Sequence, residues 1–266
     1  MKRNLNTLAL ACTMLALVAS SAAAQDFQKS YRLSAGGNVS LRNASGNMKI
    51  TGYDGDAVVV NAFREGRDRE KVQIEDLSSG NRVEIRASYS DCRYNCRADV
   101  RFDVRLPRGV RLNLDQISTA SGNIEVNNVV ADEVRLSTAS GDVLVKETSG
   151  QIKATTASGE MRVRDASGTV SAQSASGNVE VEIARLEGTD DMKFSSASGD
   201  VNVRLPANLD AEVEMSSASG SVKTTFPLQI EDRRYGPGSR ARGRVGNGSR
   251  RLRVSSASGN VSLTGL

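Results

Sequence analysis

The chain has no histidine and no tryptophan, and phenylalanine and tyrosine contribute five residues each. Without an imidazole there is no Ser-His-Asp triad, and a metal site would have to rest on cysteine and carboxylates. Without tryptophan a large core built on aromatic anchors is not available, so burial has to come from smaller side chains. Cysteine is scarce too, at Cys12, Cys92 and Cys96. Beyond the first two dozen residues, no segment approaches the roughly 18 apolar residues that read as a membrane-spanning helix.

Those first residues read as an export signal. "MKRN" is basic, "LNTLALACTMLALVA" is apolar, and "SSAAAQ" offers a small-residue exit at Ala22-Ala23-Ala24 before Gln25. Cys12 raises a lipid-attachment reading, but the apolar run continues past it through "TMLALVA", which places it inside the signal. Residues 1–24 are expected to be removed, leaving an exported chain, periplasmic or at the cell surface. The formal net charge of +4 does not by itself indicate a nucleic-acid binder, because Lys2 and Arg3 leave with the signal. In an oxidising compartment "CRYNC" is expected to close a disulfide between Cys92 and Cys96. A metal site at that spacing would need two further soft ligands.

A repeat is what the sequence has in place of aromatics. Serine–glycine corners recur at Gly122, Gly141, Gly159, Gly177, Gly199, Gly220 and Gly259, with steps of 19, 18, 18, 22, 21 and 39. Gly150 and Gly168 fall midway through the 18-residue steps. A fixed period of this kind marks a repeat architecture. The second and fourth residues after each corner are apolar in nearly every copy: Ile124/Val126, Val143/Val145, Met161/Val163, Val179/Val181. The intervening residues are mostly polar, which is the alternation of a strand with one buried face. The same alternation precedes each corner, as in Val134/Leu136, Ile152/Ala154 and Met192/Phe194.

Each repeat is therefore a coil of two short strands, with glycine supplying turn geometry and Asn or Asp after it tolerating the turn. A flexible linker would show no such downstream pattern. Stacked coils put equivalent strands about 4.8 Å apart and bury a shared interior that no single coil could close. The expected fold is all-β, a single-stranded parallel β-helix of about 18–22 residues per coil, right-handed like most parallel crossovers. Residues 117–266 give the regular coils. Residues 25–116 read as wider coils of the same stack, with "NASGNMKI" and "ADVRFDVRLP" as their clearest strands, or as a separate β-domain.

The export signal, the repeated "SGN/SGD-V-x-V" corners, the Gly/Arg-rich "GPGSRARGRVGNGSRRLRV" and the final "SASGNVSL" resemble the bacterial "putative adhesin" family, a domain of unknown function. The resemblance covers most of the exported chain and implies a β-solenoid in a cell-envelope setting.

For chemistry the residues offer little. Ser121, Ser140, Ser158 and their counterparts occupy equivalent corners, whereas a Ser-Lys site using Lys153, Lys193 or Lys223 would need one distinguished serine. A β-helix enzyme acting on acidic polysaccharide would need clustered carboxylates, for which Asp190/Asp191 and Glu231/Asp232 are the candidates. Adjacent acids on a strand point to opposite faces, which counts against a working pair. The calcium β-roll motif and the nucleotide-binding glycine motifs are absent, and no cofactor is expected. The 39-residue step carries the remaining signal, an insertion at 228–251 holding Arg233, Arg234, Arg240, Arg242, Arg244, Arg250 and Arg251, with Tyr235. It reads either as a solvated loop or as an anion-binding arm for acidic glycan or lipid phosphate, since guanidinium pairs bidentately with such groups. The last coil, ending three residues after Leu263, reads as the uncovered end of the stack, a place for end-to-end association. The expectation is an exported, non-enzymatic, adhesin-like solenoid, or a structural envelope protein with no soluble ligand.

Overall fold

The computed structural model describes residues 26–92, 95–232 and 237–266; the expected signal peptide at 1–24 lies outside them. The described residues form 22 strands of one sheet. The N-terminal strands are β1 (Phe27–Tyr31), β2 (Asn38–Ser45), β3 (Met48–Tyr53), β4 (Val58–Gly66), β5 (Gln73–Asp76), β6 (Arg82–Ser88) and β7 (Ala98–Pro107). The middle is built from β8 (Leu112–Ser121), β9 (Ile124–Asn127), β10 (Val130–Ser140), β11 (Val143–Lys146), β12 (Ser149–Ser158), β13 (Met161–Ser176) and β14 (Val179–Arg185). There follow β15 (Met192–Ser198), β16 (Val201–Leu205), β17 (Ala211–Ser217) and β18 (Val222–Thr224). The chain closes with β19 (Gln229–Asp232), β20 (Ser239–Val245), β21 (Arg251–Ser256) and β22 (Val261–Gly265). No helix among the described residues is long and apolar enough to cross a membrane.

Pairing sorts the strands into two stacks around one apolar core. One runs β5, β6, β2, β8, β10, β12, β13, β15, β21, β17, β20, β19. The other runs β1, β4, β7, β3, β9, β11, β13, β14, β16, β22, β18. The long strand β13 turns the corner and serves both. In the regular part the register advances by one repeat per layer, Val143 opposite Met161 and Met161 opposite Val179. The alternating apolar residues point inward: Val134, Ile152, Val170 and Phe194 are all fully buried.

Spatial order departs from chain order at both ends. The first coil, β2–β3, lies between β6–β7 and β8–β9, so the N-terminal strands share the same stack. The last coil, β21–β22, lies between β15–β16 and β17–β18. This corrects the expectation of an uncapped C-terminal coil: both edges of β22 are paired, and its strands are interior. The physical ends of the stack carry antiparallel additions instead, β1 and β5 at one end and β20–β19 at the other, while the short parallel strand β18 ends the second stack. The outermost strands of the first stack, β5 and β19, are the same tetrapeptide, Gln-Ile-Glu-Asp. In both, the isoleucine lies opposite an alanine and the glutamate opposite an arginine.

Three ladders run along the serine–glycine corner. In the first, an added Cβ on Gly159 would lie 2.1 Å from the carbonyl oxygen of Gly141, and one on Gly259 2.0 Å from that of Gly199. Positive φ accompanies this at Gly141 and Gly159 but not at Gly199, Gly220 or Gly259, so close approach of successive coils is the shared reason for glycine. In the second ladder the buried first residue of each [Ser/Thr]-Ala-Ser-Gly donates its hydroxyl to the glycine carbonyl one layer down. Thr138 reaches Gly122 at 3.1 Å, Ser196 reaches Gly177 at 2.8 Å and Ser217 reaches Gly259 at 2.7 Å. In the third, the Asn or Asp after the glycine accepts the amide of its counterpart. Asn123 takes Asp142 N–H at 2.9 Å and Asp200 takes Asn260 N–H at 2.7 Å. The opposite corner places Asn128, Glu147 and Asp165 at φ of 56°, 47° and 53°, left-handed backbone that costs a side-chain-bearing residue about 1–2 kcal/mol.

Candidate functional site

The insertion after Phe226 is largely sheet. Its two strands, β19 and β20, add to the edge of β17, with Glu214 opposite Arg242 and Glu212 opposite Arg244. Gly243 makes room for Leu228, whose side chain would stand 3.1 Å from a Cβ there. The loop that ends the insertion is held by Asp210, which accepts the amides of Gly248 at 2.6 Å and Ser249 at 3.3 Å. Burial opposes charge on Asp210, but the amides of Ser249, Gly248 and Asn247 outweigh it and hold the carboxyl below its usual range. That loop delivers Arg251 to β21, where its amide donates to Asp191 at 2.9 Å.

The result is a lattice of outward side chains on neighbouring strands. Strand β21 presents Arg251 and Arg253, and β17 presents Glu212 and Glu214. On either side, Lys193 of β15 lies opposite Arg253, and Arg242 and Arg244 of β20 lie opposite the glutamates. Pro227 and Gln229 close the far wall, and the groove so formed has a volume of about 970 Å3. Five cations face it against three carboxylates. Arg253 donates to Glu214 at 2.8 Å and Arg242 to Glu231 at 3.5 Å. The ammonium of Lys193 and the guanidinium groups of Arg244 and Arg251 have no carboxylate within 4.0 Å among the described residues. Cations directly opposite on adjacent strands, as Lys193 and Arg253 are, repel unless something neutralises them.

The structure divides the predicted arginines. Arg242, Arg244 and Arg251 share the groove, and Arg240 stands beside it against Ser216 and Ser255. Arg250 faces away: it is buried, and its Nη2 donates to the Gly188 carbonyl at 2.5 Å, tying the β14–β15 loop to the last coil. Arg233, Arg234 and Tyr235 lie outside the described residues. Lys193, Arg253, Glu212 and Glu214 complete the lattice without having been singled out as a group. Period-two charge in "AEVEM" and "RRLRV" marks each strand's outer face, but nothing local shows that those strands are neighbours.

The other candidates are placed as follows. Cys92 and Cys96 are bonded, with Cα atoms 5.2 Å apart, next to a surface hollow that Tyr89 and Arg97 also line. Burial pushes the Tyr89 hydroxyl up to about 12. Lys153 is paired with Glu133 at 3.0 Å, and Glu231 with Arg242. Of the acidic pair Asp190/Asp191, Asp191 reaches the groove. The corner serines, among them Ser140, Ser158 and Ser198, are exposed, and the inter-coil hydroxyl bond belongs to the residue two positions earlier.

Residues 35–264 match the family Toastrack DUF4097, and the chain belongs to it. Among curated proteins none matches. Solved structures with a similar course include a "putative cell adhesion protein" from Clostridium sporogenes ATCC 15579, 9% identical, covering 90% of this chain and 99% of its own, with a TM-score of 0.33. A "putative adhesin" from Bacteroides fragilis NCTC 9343 is 12% identical, covers 90% of this chain and 96% of its own, and has a TM-score of 0.39. One from Parabacteroides distasonis ATCC 8503 is 10% identical with the same coverage and a TM-score of 0.40.

Proposed function

We propose that this chain is an exported, non-enzymatic envelope protein of adhesin-like role, a rigid solenoid, wound right-handed, that holds anionic envelope polymers on its arginine lattice. The observation that carries the reading is the cationic surplus in the groove, with Lys193, Arg244 and Arg251 free of ion pairs among the described residues. Guanidinium and ammonium groups fixed on a sheet lose little further freedom on binding, and exposed anions are drawn to them until salt screens the field. Of the groove's three acids, Glu214 holds Arg253 and Asp191 accepts the backbone amide of Arg251. Co-sedimentation of the protein with isolated bacterial envelopes tests this reading, comparing wild type with Arg242→Ser/Arg244→Ser/Arg251→Ser across a salt series. Binding that falls with salt and is lost in the triple variant is the expected result. Equal binding by both proteins would clear the groove of any role.

A further inference from the structure

The groove is only half of a continuous outer surface on the same four strands. Two residues further along β15, β21 and β17, the outward positions become Ser195, Ser255 and Ser216, with Arg240 beside them on β20. Two further still they are Ala197, Ala257 and Ala218, and these residues line a shallow trough contiguous with the charged part. One border of this surface is therefore guanidinium and ammonium, and the other is hydroxyl. The serine hydroxyls are half-buried and small, so they leave the trough open.

Resting on the anion-binding reading, we infer that the surface takes a linear polyhydroxylated polyanion, an acidic glycan chain lying across the strands. Its anionic groups meet Lys193, Arg253, Arg242 and the free Arg251 and Arg244, and its hydroxyls meet the serine row. Strands are about 4.8 Å apart, a spacing comparable to one pyranose unit, so four strands offer roughly 14 Å of matched length. A membrane fits the surface less well: the trough is concave, and the large apolar residues of its lining, Met192, Val213 and Leu252, are buried and not free to enter a bilayer. A nucleic acid would find no aromatic side chain there on which to stack a base.

The test measures binding of the exported chain to polygalacturonate, to polyglutamate, which carries carboxylates without hydroxyls, to dextran and to phosphatidylglycerol vesicles. Polygalacturonate is expected to bind at least tenfold tighter than polyglutamate, with dextran and vesicles weak, and Arg244→Ser/Arg251→Ser to lose about tenfold or more. A phosphodiester-linked polyol run in parallel separates a wall-polymer source of the same chemistry from a uronate source. Ser216→Val/Ser255→Val, checked for an unchanged melting temperature, is expected to weaken polygalacturonate several-fold and leave polyglutamate unaffected. Equal affinity for polygalacturonate and polyglutamate, with the serine variant unchanged, would overturn the glycan inference while leaving an anion site. Preference for vesicles would overturn it in favour of lipid headgroups. No binding of any polyanion would overturn both the inference and the reading it rests on.

Discussion

Replacing Gly159 by alanine puts the account of the corner under direct test. The new methyl would stand 2.1 Å from the Gly141 carbonyl oxygen and 2.6 Å from its carbon, both backbone atoms of the layer below. Neither can move without shifting a whole coil, so an overpacking cost of about 1–3 kcal/mol applies. The φ of +146° adds a backbone cost of order 1–3 kcal/mol for a residue with a Cβ. Together these come to about 3 kcal/mol or more, which in a domain of this size lowers the melting temperature by roughly 6–12 °C. Two further substitutions separate the causes. Gly199 makes the same approach, 2.3 Å from the Gly177 oxygen, without a left-handed φ; Gly188 has φ of +73° but its nearest atom, on Asp190, is 3.7 Å away. Thermal unfolding followed by far-ultraviolet circular dichroism is expected to rank Gly159→Ala as worst, Gly199→Ala close behind and Gly188→Ala mildest. Gly109, with nothing within 4 Å of an added Cβ, serves as the neutral control. If Gly199→Ala melts with wild type while Gly188→Ala falls, conformational freedom and not coil approach explains the repeat, and the reasoning fails.

Other outcomes follow from the remaining ladders and from the ends. Thr156→Val keeps shape but removes the hydroxyl donated to Gly141, so stability should fall by about 1–2 kcal/mol, while Ser158→Ala at the exposed corner changes nothing measurable by urea titration. Glu147→Asn is expected to stabilise by several tenths of a kcal/mol, because asparagine tolerates left-handed backbone better than glutamate; a lower urea midpoint would contradict this. Asp76 is held far below its usual range: burial opposes its charge, but hydrogen bonds from Lys29 and Ser78 outweigh it. Its folded value lies under the unfolded 3.8, so its contribution is complete above that value and disappears as pH falls through the folded one. Asp76→Asn should therefore melt below wild type near neutral pH and converge on it in acid; a gap that does not change with pH would be the contrary result.

Much of the solenoid was legible because its inward positions obey a local rule. Val143/Val145 and Met161/Val163 announce buried faces by alternation alone, and the period of the corners places them in successive layers. The reasons for the corner residues were less accessible. Asparagine and aspartate after the glycine looked like turn formers, yet they bind the amide of the next layer, a partner 18 to 76 residues distant. The serine that looked like the corner is exposed, and the buried hydroxyl two residues earlier makes the bond. The arginine cluster was visible as composition. Its division into a groove and the buried Arg250 was not, because the long 39-residue step conceals a strand order in which β21 precedes β17. Nothing local to "RLRV" says that it will lie between "MKFSS" and "EVEMSS".

That strand order has a consequence for how the molecule is made. Coils β8 to β16 can be laid down as they emerge, each on its predecessor. The next segment to emerge, β17–β18, has no docking partner yet, because its neighbour is 39 residues further along the chain. Until residues 251–265 arrive, the growing end of the stack presents β15 and β16 as two bare parallel edges, and the β17–β20 sheet hangs free. Stack completion is thus a non-local step, slow by the entropy of the loop it must close. If the chain is exported, as the proposed function has it, and crosses unfolded, that waiting period falls beyond the membrane, where an edge-binding chaperone, or another copy in the same half-built state, could reach it first.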